Sequence, residues 1–532
     1  MMSFEYIVSV VYFLAMLILL CAVVKRDLQM LQQNSYRNER LWRWIKTSSE
    51  YMSTLRILNF TLFLIGISTL SESVYVVLII VIAVILECVS LLTKKSKKPL
   101  VFTKRVWRLF LPSVVIVTVA AILPAFLTDG EIPSCKSAAL ILAAVVPFSY
   151  IPVMTVNYLL KPIEKAINNK YCNDAKRILA SMPGMLIIGV TGSYGKTSTK
   201  HYLSRILSEK YSVLMTPGSF NTPMGVVRTV REMLKPYNNV FIVEMGAKNI
   251  GDIKEICDIV HPTYGIITAV GEQHLESFKT IENVQRTKFE LIDALPKNGF
   301  AVLNNDFEFV ANRVVDNVEA SRYSTHVDAE GCDYVATDIK YTSHGTTFTI
   351  KGHGKELELS TKLVGEFNIS NLLAAVIMAM KLGVPDNKIQ YAVSKIEQVE
   401  HRLNVKRTPG GITIIDDAFN SNPDGSRMAL DVLAGMTGGR RIVITPGMIE
   451  LGSKQEYYNE LFGEHIAESC DVAIIVGSYN KESILKGISR KKMPETNVIT
   501  VPTFAEAQAK MLELARSGDT VLYENDLPDT FK

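Results

Sequence analysis

The chain has 532 residues, too many for one ordinary domain, and its length alone suggests about three or four units. Its 57 Lys and Arg against 53 Asp and Glu leave a net charge of +4, too mild a balance to argue for a nucleic-acid partner. Seven scattered cysteines, odd in number and without a C-x-x-C pair, argue against both a disulfide framework and a zinc site.

Hydrophobic residues make up 48% of the chain, and the first 160 residues hold most of the excess. Phe4 to Val24 is a run of 21 residues without Lys or Arg, enough to cross a hydrocarbon core ~30 Å thick as a helix. A signal peptide fits badly, because no basic stretch precedes the run and no small-residue cleavage site follows it. Further apolar runs at Ile57 to Leu70, Val74 to Leu92, Trp107 to Leu127 and Ala138 to Leu160 bring the expectation to five spans, an all-α transmembrane region over 1–160. The second run is short and only Ser71-Glu72-Ser73 separates it from the third, so a helical hairpin and a re-entrant pair are both open. Residues 25–56 and 93–108 carry seven Lys or Arg each, whereas 1–3, 71–73 and 128–137 together hold only Lys136. Because cytoplasmic loops retain basic residues, the N-terminus is expected outside a plasma membrane and everything beyond Leu160 in the cytoplasm. Glu87 lies inside the third run, either as a polar contact or snorkelling to the nearby cytoplasmic boundary.

Lys161 to Ala180 is basic and helix-compatible, a connector along the inner membrane face. After it the apolar run Met185 to Ile188 leads into Gly189-Val-Thr-Gly-Ser-Tyr-Gly-Lys-Thr197. A strand that ends in glycines and runs into a helix turns backbone N–H groups outward, around a phosphate chain. Gly192, Ser193 and Gly195 would form that wrap, with Ser198 beside it; Lys196 would reach the terminal phosphates and Thr197 would hold Mg²⁺. The spacing is T-G-x-x-G-K-T, with the first glycine one residue too far upstream for the common G-x-x-x-x-G-K-[ST]. Helical spacing follows through Tyr202, Leu203, Ile206 and Leu207, then a strand over Ser212 to Met215 and a turn over Thr216 to Gly225. Val240 to Gly246 is a buried strand ending in Glu244, a strand-end carboxylate suited to Mg²⁺. A third strand, Gly265 to Val270, ends in Gly-Glu-Gln-His274-Leu-Glu276. One sheet edge thus receives a P-loop, an acid and a His, and residues 161–397 form a central ATP-binding domain.

From 398 to 532, strand patterns at Ile412 to Ile415, Arg441 to Thr445, Val472 to Val476, Val498 to Val501 and Thr520 to Tyr523 alternate with helical ones such as Phe504 to Arg516. That alternation indicates a doubly wound α/β sheet. Asp417 follows the first of these strands.

These residues resemble the Mur ligases, and within them the branch that adds D-alanyl-D-alanine. The motifs are T-G-S-Y-G-K-T, T-P-G-S-F-N, E-M-G-A, H-L-E-S-F followed fourteen residues after the His by Lys288, G-E-F-N-I-S-N-L-L-A-A, D-D-A-F-N-S-N-P and I-E-L-G, in family order over residues 185–455. The resemblance implies a P-loop central domain and a Rossmann-like C-terminal domain. It also implies an ATP- and Mg²⁺-dependent carboxylate–amine ligase of peptidoglycan or other envelope-precursor synthesis, working through an acyl phosphate. Its partners would be an amino-acid or dipeptide amine donor and a UDP-linked or lipid-linked carboxylate acceptor. By the same resemblance Lys196 and Thr197 serve the phosphates and the first Mg²⁺ with Glu244, and His274 is a second-metal ligand. Lys288 matches the lysine the family carbamylates, Asn368 and Asn371 lie on the adenine side, and Arg402 and Asp417 reach the nucleotide from the C-terminal domain. Ser219 and Asn221 fall in the substrate-facing turn.

The pattern breaks at Phe367, where His is usual, at His401, at Phe419, where Tyr is usual, and at Gly447, where an acid is absent. Only 25 residues, 161–185, separate the last apolar run from the P-loop strand, so the family's UDP-binding domain has no counterpart there. A membrane-held acceptor, a poly-γ-glutamate-synthase-like polymerising ligase and a non-catalytic membrane partner therefore stand beside the first reading. A transport ATPase is disfavoured, since no L-S-G-G-Q signature accompanies the P-loop.

Overall fold

A computed structural model describes residues 4–47, 57, 74–94, 98–127, 135–342, 345–400, 402–418, 421–491 and 493–526. It divides into two compact units, Met1–Ile167 and Asn168–Asp526.

The first unit is helical: Phe4–Gln33, Asn38–Thr47, Val74–Thr93, Lys104–Leu127, Cys135–Val145 and Tyr150–Leu159. The 30-residue first helix packs against those at Val74–Thr93, Lys104–Leu127 and Cys135–Val145. Leu20, Val23, Leu28, Leu142 and Val153 lie at the centre. Polar groups are buried with them: Asp27 is fully enclosed and accepts a hydrogen bond from Ser149 Oγ at 2.5 Å. The outer side is apolar instead, with Leu111, Val115, Ile116, Val119 and Leu123 each about half exposed along one helix.

Five spans are not what the described residues contain. One helix, Lys104–Leu123, is long and apolar enough to cross a membrane, and a second candidate arises only if Ile141–Phe148 and Tyr150–Leu159 count as one. That pair is bent by 70°, because Pro147 sits in a 3₁₀ turn at Val146–Phe148 and cannot donate the backbone hydrogen bond that would continue the helix. The run expected over Ile57 to Leu70 lies, past Ile57, outside the described residues.

Lys161–Ala180 is one continuous helix that enters the second unit, where Ala175 and Leu179 join the core and Arg231 Nε bonds Asp174 at 2.7 Å. Nine strands follow: β1 (Leu186–Thr191), β2 (Val213–Met215), β3 (Val240–Glu244), β4 (Tyr264–Ile267), β5 (Phe300–Asn304), β6 (Glu319–Ser324), β7 (Tyr334–Thr342), β8 (Gly345–Gly352) and β9 (Lys355–Thr361). Their order is β2-β3-β1-β4-β5-β6-β7-β8-β9, parallel as far as β7 and antiparallel beyond. Every residue of β3 and β5 is buried, as unbroken apolar strands must be when helices cover both faces. Helices Lys196–Leu207 and Glu366–Lys381 pack on one face, and Asp252–Val260 and Ile281–Asp293 on the other.

β4 stops at Ile267 rather than continuing to Val270. Thr268 turns its hydroxyl onto Thr191 O and Tyr194 O, which ends the strand and ties it to the P-loop. The C-terminal sheet holds β10 (Asn404–Arg407), β11 (Thr413–Asp417), β12 (Arg441–Thr445), β13 (Val472–Val476), β14 (Val498–Val501) and β15 (Thr520–Glu524) in the order β10-β11-β15-β12-β13-β14. All its pairings are parallel except β10 with β11.

Candidate functional site

The loop between β1 and the helix Lys196–Leu207 is shaped by two glycines. Gly192 has φ +154° and Gly195 +81°; a Cβ at either would come within 2.0 Å of Thr268 Oγ1 or 2.2 Å of Asn371 Oδ1. Ser193 pins the loop to the end of β4: its N–H donates to Ala269 O at 2.8 Å, and its hydroxyl donates to Gly271 O at 2.9 Å and accepts from Gly271 N at 3.0 Å. Lys196 folds back, Nζ donating to Gly192 O at 2.7 Å and Ser193 O at 3.0 Å. Burial pushes this amine down to about 8, against the pull of the Glu244 carboxylate. Ser198 is buried, while Thr197 borders a cavity of about 790 Å³ lined also by His201, Arg205, Ser219 and Arg402.

Glu244, last in β3, meets a partner that the sequence did not suggest. Lys200 Nζ lies 2.9 Å from its Oε2, both side chains are sealed from solvent, and Asn221 Nδ2 donates to Oε1 at 3.0 Å. Burial alone would raise this carboxyl, but Lys200 and Lys196 bring it below the ordinary value, so Glu244 is ionised. The missed signal was spacing: Lys200 is four residues after Lys196, hence on the same helix face. Nζ of Lys200 also bonds Gly218 O at 2.7 Å, joining the substrate-facing turn to the acid.

His274 caps the short helix Leu275–Phe278 with φ +53°. Its Nδ1–H donates to Glu450 Oε2, and Lys248 Nζ reaches both oxygens of the same carboxylate at 2.9 and 3.2 Å. Burial keeps the imidazole below its usual range and therefore neutral. Burial would raise Glu450, but the His274 hydrogen bond and Lys248 hold it well below the usual carboxylate range. Lys288, on the helix Ile281–Asp293, is 2% exposed; the charge of Lys196 acts on it, and its own charge opposes protonation of His274. Burial and Lys196 depress its pKa well below normal, which favours the uncharged amine.

Asn368 is occupied at both ends: Tyr202 Oη donates to Oδ1 at 2.9 Å, and Nδ2 donates to Val364 O at 2.8 Å. It therefore braces the Glu366–Lys381 helix in this structure. Asn371 differs, because Oδ1 accepts from Thr199 Oγ1 at 3.2 Å while its buried Nδ2 has no hydrogen-bond partner. Arg402 and Asp417, both half-buried, lie close enough to affect each other's charge, and desolvation raises Asp417 to about 6 despite Arg402. Glu524, at the end of β15, is the second carboxyl missed; burial raises it to about 7, and it accepts from Ser421 Oγ and from Thr445 Oγ1, the latter at 2.9 Å. Its two partners come from separate segments, which no local pattern reveals. Phe419 lies outside the described residues, as does His401.

Among the described residues no group of three or more His, Cys, Asp and Glu could hold a metal ion. Glu244 and the Thr197 hydroxyl nevertheless suit Mg²⁺, which keeps several waters and takes one or two protein oxygens together with phosphates. The phosphate cradle is cleared by Gly192 and Gly195, and Asn371 Nδ2 is a buried donor with unmet capacity.

The Mur ligase middle-domain model matches residues 190–379, and the Mur ligase glutamate ligase domain model matches 401–523. The UDP-N-acetylmuramoyl-tripeptide–D-alanyl-D-alanine ligase of Escherichia coli is 29% identical over 336 residues, 62% of this chain and 74% of that protein. Its namesake from Bacillus subtilis is 29% identical over 286 residues, 53% of this chain and 61% of that protein. Among solved structures, the MurF ligase of Thermotoga maritima in complex with ADP superposes with a TM-score of 0.61 at 25% identity, over 68% of this chain and 80% of that one. These relatives are thus spanned over about three fifths to four fifths of their lengths, and the matched domains lie within the second unit. With its middle and C-terminal domains both matched in family order and the phosphate cradle in place, the chain belongs to the Mur ligase family, ATP- and Mg²⁺-dependent enzymes that form amide bonds.

Proposed function

We propose that this chain condenses a UDP-N-acetylmuramoyl-peptide carboxylate with a D-alanyl-D-alanine-like dipeptide amine in peptidoglycan precursor synthesis. The observation that carries the reading is the convergence of Lys196, Glu244, His274 and Lys288 beside a glycine-cleared loop, in a fold shared with the MurF ligases.

Lys196 would leave its own loop carbonyls for the terminal phosphates, and the N–H groups of residues 194–198 would hold the phosphate chain in place. Mg²⁺ bound at Thr197 and Glu244 would neutralise phosphate charge as the γ-phosphoryl group moves to the acceptor carboxylate. Burial favours the uncharged form of Lys288, the form that reacts with CO₂ to give a carbamate and a proton; the product would be a carboxylate-like group beside His274. Asn371 Nδ2 is the buried donor available to a base edge, and Arg402 and Asp417 would bring the C-terminal domain onto the nucleotide. Closure excludes water, whose attack on the acyl phosphate is the competing reaction.

The exposed apolar stripe Leu111–Val115–Val119–Leu123, over a core that encloses Asp27, supports placing the first unit against lipid, with the ligase domains on the ATP-containing side. A lipid-linked acceptor is the second reading on that ground. The test is ADP release by the detergent-purified full chain, with amine donors (D-alanyl-D-alanine, D-alanine, L-lysine, glutamate) crossed against UDP-muramoyl-tripeptide and lipid-linked acceptors and products read by mass spectrometry. Turnover that needs both partners and disappears in Lys196→Ala supports the ligase; turnover indifferent to every pair contradicts it.

A further inference from the structure

The P-loop carries a side chain that reaches out of its own domain. Tyr194, between Ser193 and Gly195, is 8% exposed, with its ring edge-on to Phe307 at 5.3 Å and tilted against Phe367 at 5.8 Å. Its carbonyl accepts from Thr268 Oγ1 at 2.5 Å. From this seat its hydroxyl donates to Asp424 Oδ2 at 2.7 Å. Asp424 lies in the first turn of the C-terminal-domain helix Pro423–Ala434, whose start is fixed by Asn422 Oδ1 accepting from Gly425 N at 2.9 Å. The bond runs past Gly271, where a Cβ would lie 2.4 Å from Tyr194 Oη and 2.9 Å from Asp424 Oδ2. Gly271 is also the residue whose N–H and carbonyl both bond the Ser193 hydroxyl. The lack of a side chain at 271 is thus what lets the P-loop and the C-terminal domain meet.

The contact continues along the same stretch. Glu272 accepts from Lys454 Nζ at 2.6 Å and from Tyr458 Oη at 2.5 Å, and Glu276 N–H donates to Glu450 O at 3.2 Å. Tyr194 differs from these in belonging to the P-loop itself. Its backbone N–H is one of those that would hold the phosphate chain, so a single residue answers both to the nucleotide and to the other domain.

We propose that Tyr194 is a positioning residue that couples nucleotide binding in the P-loop to docking of the C-terminal domain. Phosphate that orders the loop favours the Tyr194–Asp424 bond, and the docked domain favours the ordered loop to the same extent, by linkage. The coupling rests on the loop being the phosphate site, the reading given above.

The test is hydrogen–deuterium exchange of the full chain with and without ADP and Mg²⁺, read at single amides by mass spectrometry with electron-transfer fragmentation. The Glu276 amide reports docking, because its acceptor belongs to the other domain; the Met245 amide, bonded to Val190 O at 2.9 Å inside the middle domain, reports the fold. Tyr194→Phe keeps the ring and removes only the hydroxyl. Expected is Glu276 exchange about 10-fold faster in Tyr194→Phe, with Met245 unchanged. In an Asp424→Ala background the same substitution should change Glu276 exchange by less than about twofold, since the partner is already gone. ADP should slow Glu276 exchange in wild type and lose most of that effect in Tyr194→Phe. Glu276 exchange in Tyr194→Phe within about twofold of wild type, or an equal acceleration at Met245, would overturn the positioning role. ADP slowing Glu276 equally in both proteins would overturn the coupling while leaving the phosphate site intact. A wild type that binds no ADP by calorimetry would overturn both. Should Asp424→Ala fail to fold, the comparison of wild type with Tyr194→Phe decides by itself.

Discussion

Gly195 is where the backbone of the P-loop is least forgiving. At φ +81°, with Asn371 Oδ1 2.2 Å from where a methyl group would sit, Gly195→Ala strains the turn and displaces the asparagine. The expected cost is about 1–3 kcal/mol of stability with loss of ATP turnover, measured by denaturant unfolding and ADP release. Glu524 gives a pH signature. An exposed glutamate titrates near 4.5, whereas the folded chain holds this proton up to about pH 7, through burial. The folded state therefore binds more protons across that window, and the stabilisation from this group is lost as pH rises through it. Replacing Glu524 by Gln should flatten the fall in melting temperature between pH 5 and pH 7; an unchanged profile would refute the assignment. For Lys288, incubation with ¹³C-bicarbonate should give a carbamate resonance that Lys288→Ala lacks.

At the scale of elements, the Lys200–Glu244 pair links the P-loop helix to β3 in a site with no solvent. Lys200→Met leaves a buried carboxylate without its cation, and about 3–5 kcal/mol should be lost, with partial recovery in Lys200→Met/Glu244→Gln. Equal losses in single and double variants would show that the pair is not the unit of stabilisation. The elements that position the site are legible because their signals are local: an apolar run into glycines for β1, an acid closing a buried run for β3. β13 and β14 likewise fall on the runs Val472 to Val476 and Val498 to Val501. The half of the middle sheet from β5 to β9 escapes such a reading. β6, β7 and β9 mix Ser, Thr, Lys and Glu into their strands, and two of the last three pairings are antiparallel hairpins whose polar faces weaken the apolar signal. Glu450 and Glu524 are hidden for another reason. Each acquires its meaning from a partner 79 to 176 residues away, and sequence spacing carries no trace of such pairings.

For the whole molecule, a helical unit with an apolar exterior precedes a ligase core. Leu111, Val115 and Val119 are about half exposed on one helix of the first unit, whose centre encloses Asp27. If that face meets lipid, the full chain should float with liposomes, and Leu111→Gln/Val115→Gln/Val119→Gln should reduce flotation without lowering soluble-substrate turnover. The central claim, however, concerns the chemistry of the second unit. It is tested most directly by supplying the acceptor with an ¹⁸O-labelled carboxylate and analysing the phosphate released. If the carboxylate attacks the γ-phosphorus and the amine then expels phosphate from the acyl carbon, each phosphate formed with an amide carries one ¹⁸O. Phosphate free of label, its fourth oxygen drawn from water, would contradict the account.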